Sequence, residues 1–92
     1  MSKTDDKFYE RADEHINLSN SQLQETEKGK VSASMMYSVA RFNAWVTACG
    51  FSEKEEMKEK KEEVLDYFVT QYKIMLEENL DEYIENFEEY MK

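Results

Sequence analysis

The chain has 92 residues, with no proline, two glycines, one cysteine and one histidine. The missing prolines remove the residue that most often kinks or ends a helix. Gly29 and Gly50 are then the natural punctuation, and the composition is one for long helices. With Cys49 alone, no disulfide can form within the chain, and a lone thiol behind an N-terminus without an apolar signal core fits a reducing cytoplasm. Long apolar runs are also missing. No run of large apolar residues exceeds three, as in Met35-Met36-Tyr37, far short of the roughly 20 residues of a membrane span. Basic charge is scarce. The formal net charge is −9, and most of the excess acid lies after residue 51. Such a surface repels phosphate backbones and anionic lipid, which argues against nucleic-acid and membrane-surface binding. It is compatible with a basic protein partner.

What is present centres on residues 31–51, VSASMMYSVARFNAWVTACGF, where Arg41 is the single formal charge. Val31, Met35, Val39, Phe42, Val46 and Cys49 recur at steps of three or four, with a second stripe of Met36, Ala40 and Ala44 beside them. Two adjacent stripes predict a helix from an N-cap at Ser32 to a Schellman stop at Gly50, buried on more than half its circumference. Cys49 is then a small buried hydrophobe. A first helix is expected from a cap at Thr4 to about Glu27, stopped near Gly29, with Phe8, Ala12, Ile16 and Leu23 as a thin stripe. A third helix starts at Ser52, where Ser52 and Glu55 match a capping box. Its solvated beginning is supported by pairs such as Glu56–Lys60 and Lys58–Glu62.

From Val64 to Met91 that third helix is broadly apolar, over roughly 42 Å at 1.5 Å per residue. The other two helices offer roughly 25 Å each. Two solutions bury the surplus. The helix breaks near Asn79, which caps a fourth segment that folds back, or a second copy covers it. The expectation is an all-α single domain, 1–92, built as a small bundle of three helices, the third very long or broken in two near Asn79.

Few residues point to chemistry. His15 has Glu10, Asp13 and Glu14 nearby, but a di-iron bundle needs two Glu-x-x-His motifs, and here position 12 is Ala and there is no second His. Zinc would have to use one Cys and one His far apart in sequence. No Gly-rich phosphate loop or CxxC occurs, and the six methionines at helical spacing read as core filler. No metal, cofactor or catalytic residue is therefore assigned. Arg41 stands out beside Tyr37, Asn43 and Trp45. Either it emerges at the core edge to pair with Asp13, Glu14 or Asp66, or it forms an anion or partner contact beside an aromatic platform.

The segments FYERADEHINLSNSQL (8–23) and GKVSASMMYSVARFNAWV (29–46) resemble a family of short bacterial proteins known as a domain of unknown function. The resemblance spans about residues 7–85. It implies a small helical fold in bacterial cytoplasm and no particular activity. The residues themselves favour a non-enzymatic cytoplasmic interaction module, forming a homodimer through Tyr72, Leu76, Leu80, Tyr83, Ile84 and Phe87. One alternative is an acidic regulator, or nucleic-acid mimic, of a basic protein. Another is a small-ligand or metal-dependent activity around His15.

Overall fold

The structure is a computed structural model and describes residues 5–92; the expected Thr4 cap lies outside them. The described chain is all-α, with no strand. Its helices are α1 (Phe8–Gln22), α2 (Lys28–Cys49), α3 (Lys54–Glu59), α4 (Lys61–Glu85) and α5 (Phe87–Tyr90). The chain forms two compact units, one ending at Val46 and the other spanning Thr47–Lys92, with the boundary inside the last turn of α2.

In the first unit, Asp5 organises the start of α1. Its carboxylate accepts the Lys7 N–H at 2.9 Å and holds both terminal nitrogens of Arg11, at 3.3 and 2.8 Å. Its carbonyl accepts the Phe8 N–H at 3.1 Å. An acid thus sits where the helix dipole is positive and four N–H groups lack partners. The Arg11 guanidinium and the Lys7 N–H hold the Asp5 carboxyl below its usual range.

The helix ends at Gln22, five residues before the expected stop. The run Ser19-Asn20-Ser21 explains the early end, because short polar side chains compete with the helical ladder. Ser21 Oγ donates to the Leu18 carbonyl at 2.7 Å, and the next N–H groups turn tightly onto carbonyls three residues back. The second helix begins at Lys28 rather than after Ser32, with the Glu27 carbonyl accepting from Lys30 and Val31 at 3.1 Å each. Gly29 therefore lies inside the first turn of α2 and is not a stop.

Within the described residues, Val31 is the one buried hydrophobe, at 6% exposure. The expectation that α2 is buried around most of its girth does not hold. α1 has only 15 residues, and its thin stripe leaves Ile16 and Leu18 exposed. It offers too little apolar surface to cover both stripes of a 22-residue helix. Cys49 is exposed, contrary to its expected burial.

In the second unit, α2 stops without a Schellman motif. Gly50 has no positive φ, and the Gly50 and Phe51 N–H groups bond three residues back to Thr47 and Ala48, at 3.0 and 3.1 Å. A tight 3₁₀-type turn closes the helix instead. The expected capping box does not form. Glu53 is the extended N-cap, and Glu56, not Glu55, reaches back to the Ser52 N–H at 3.3 Å.

Two breaks divide the expected third helix. The first is at Lys60, in a stretch where Met57 is the sole apolar residue. Lys60 then pairs with Glu63 at 3.5 Å rather than with Glu56. The second break comes at Asn86, seven residues beyond the expected Asn79. Asn79 lies within the continuous α4, and its Nδ2 donates to the Met75 carbonyl at 2.8 Å. That bond turns its side chain back along α4 instead of forward as a cap.

Candidate interaction surfaces

Two apolar faces stand out, one in each unit. On α2, Tyr37, Arg41 and Trp45 follow one another at four-residue steps, and neighbours four apart share a helix face. Phe42 joins them, its ring 5.7 Å from that of Trp45. These residues and Ser38 line a shallow open surface on which the three aromatics are 61–65% exposed. Asn43 lies around the helix from this face and is half-buried. The expected pairing of Arg41 with Asp13 or Glu14 in its own unit is not made. The chain's two ion pairs among the described residues are Asp5–Arg11 and Lys60–Glu63.

The other face runs along α4 into α5. Tyr72, Leu76, Leu80, Tyr83, Ile84 and Phe87 are 42–72% exposed. Spacings of three and four keep the α4 members on one broad side. At its far end Tyr83 stacks on Tyr90, with centroids 4.3 Å apart. The Tyr90 hydroxyl donates to Glu82 Oε2 at 2.5 Å. That bond favours the neutral phenol and raises the Tyr90 pKa above its ordinary value. The exposure of this face escaped the sequence reading only in degree. The apolar period places the stripe, but which side chains stay uncovered depends on helix lengths set by the polar breaks.

Residues 8–84 match the model of a family described as a protein of unknown function, DUF3144. The chain belongs to that family. A solved structure similar to this DUF3144 chain is the NMR structure of the protein NB7890A from Shewanella sp.. The two are 48% identical, with a TM-score of 0.79 over 97% of this chain and 95% of the other. No curated protein matches the chain.

The other candidate positions are simpler. His15 is exposed on α1, and among the described residues no three His, Cys, Asp or Glu side chains are gathered to hold a metal ion. No helix in the described residues is long and apolar enough to cross a membrane.

Proposed function

We propose that this protein is a non-enzymatic interaction module that self-associates through the apolar side of α4 and α5. The exposure of Tyr72, Leu76, Leu80, Tyr83, Ile84 and Phe87 carries this reading. At about 200 Å² per large side chain, these six at roughly half exposure leave on the order of 600 Å² of largely apolar surface in water. Monomeric proteins rarely expose a larger patch. Covering it removes that area from water at roughly 25 cal/mol per Å². A chain this small gains little from its own core, which strengthens the case for a second copy.

The test is the solution mass of the full chain, by light scattering behind a sizing column, from about 1 to 100 µM, the range of weaker specific interfaces. The expected result is a species of twice the 11.0 kDa chain mass that dissociates on dilution. A mass of 11.0 kDa throughout refutes self-association.

A further inference from the structure

We infer that the associated form pairs α2 of one copy with α4 of the other, so that the two exposed faces are the two halves of one interface. This rests on the self-association reading above and assigns the surface that meets the α4 stripe. In a two-fold dimer the contact occurs twice, because each copy supplies one α2 and one α4.

Charge makes the choice among the possible pairings. α2 carries Lys28, Lys30 and Arg41 and no acidic residue. α4 carries eight acidic residues against Lys61 and Lys73. Laying α4 against α4 sets one strongly acidic helix on another, and laying α2 against α2 opposes cations. Only α2 against α4 sets opposite signs face to face.

Positions within each helix agree with that choice. Lys30 and Arg41 are eleven residues apart, about three turns, and so lie on the same side of α2, in line with Tyr37 and Trp45. Asp66 and Glu77 are likewise eleven apart on α4, on the same side as Ile84 at the edge of the stripe. Both separations are about 16 Å along the axis. Two cation–carboxylate pairs can therefore close together in either helix direction. None of these four charges takes part in the chain's two ion pairs among the described residues.

The composition of the α2 face also suits a protein contact. Trp, Tyr and Arg are the residue types that dominate binding energy at interfaces. Adding the α2 aromatics to the α4 stripe brings the apolar area to roughly 1,000 Å² per copy. A standard specific interface takes about 800 Å² from each partner.

The experiment uses full-length charge reversals, Lys30→Glu/Arg41→Glu on α2 and Asp66→Lys/Glu77→Lys on α4, each compared with wild type by sedimentation velocity at ten times the wild-type Kd. Each variant alone is expected to weaken association at least tenfold. An equimolar mixture is expected to dimerise again, because every α2–α4 contact in the mixed dimer regains opposite signs. The α4 variant is the stricter arm. It brings the net charge of −9 closer to zero, so general repulsion alone predicts tighter association.

An α2 variant that dimerises like wild type overturns the pairing and leaves α4 against α4. A mixture that stays monomeric while both variants keep wild-type circular dichroism also overturns it, since the charges then act within one chain. A wild type that is monomeric at every concentration refutes self-association itself, which separates the two failures. If a reversal unfolds the chain, Lys30→Gln/Arg41→Gln takes its place, and a change in Kd of less than twofold overturns the pairing. Emission from Trp45, the one tryptophan, gives an independent readout. It should shift to the blue as wild type associates, and an unchanged maximum across the transition counts against the pairing.

Discussion

Replacing Leu80 by Ala separates what the chain holds alone from what association adds. Leu80 is 52% exposed. The substitution removes three carbons, worth about 2.4 kcal/mol if fully buried at about 0.8 kcal/mol per CH₂. With about half that surface already covered in its own unit, roughly 1.2 kcal/mol is lost from the isolated chain. The other half, again roughly 1.2 kcal/mol, is realised only when a partner covers the side chain. A two-fold dimer contains two copies of Leu80, so the dimer loses roughly 2.4 kcal/mol, close to a 50-fold weaker Kd. Any cavity left in the interface adds to this. Ile74→Ala is the control. Ile74 is comparably exposed, at 46%, and lies half a turn around α4 from Tyr83, away from the stripe. Sedimentation equilibrium of the two variants and wild type measures the effect. If Leu80→Ala moves Kd by less than threefold, or Ile74→Ala moves it as much, the α4 stripe is not the contact surface.

Three further outcomes follow from local structure. Gly29→Ala should stabilise the chain by about 0.5 kcal/mol, read as a rise in the urea midpoint, because Gly29 is helical without positive φ and an added Cβ meets nothing within 4 Å. Asp5, held below its ordinary 3.8 by Arg11 and the Lys7 N–H, should titrate below 3.8 by NMR. Its stabilising effect on α1 is complete above the unfolded value and is lost as pH falls through the folded one, and Asp5→Asn should remove that acid-side dependence at Phe8–Arg11. Tyr90 has the opposite sign. Its raised pKa favours the neutral phenol, so its contribution is present below the ordinary 10.0 and fades as pH rises through the folded value. Glu82→Gln should bring the carbon-detected titration of Tyr90 back toward 10.0.

The apolar period made the helical class and the α4 stripe legible, because periodicity reports which side of a helix is apolar whatever lies opposite. Helix ends were less legible, for a definite reason. Gly29 and Gly50 read as stops by residue type, yet neither adopts the left-handed conformation that makes glycine a stop. The actual ends are set by polar side chains bonding locally, such as Ser21 to Leu18, and by 3₁₀-type turns after Gln22 and Cys49. Asn79 and Asn86 show how fine the margin is. Each donates to the carbonyl four residues back, at 2.8 and 3.1 Å, yet the helix passes through the first and breaks at the second. After Asn86 the chain gains the Tyr83–Tyr90 stack and the Tyr90–Glu82 bond, contacts between residues seven and eight apart that a window of local propensity does not weigh. Burial was the least legible quantity. It depends on how much surface the neighbouring elements bring, and a 15-residue α1 brings too little.

Those shortened helices give the exposed faces their meaning. A 25-residue α4 that is apolar along one side and strongly acidic elsewhere has too much apolar surface for the short helices of its own unit, α3 and α5, to cover. The acid penalises any partner that presents more acid. In the proposed dimer the covering surface must then combine apolar area with basic charge. On this chain the Tyr37–Arg41–Trp45 face, with Lys30 three turns before Arg41, meets both conditions. In the proposed dimer the −9 charge is a specificity device. It leaves the hydrophobic contribution of the stripe unchanged and restricts which surfaces can use it.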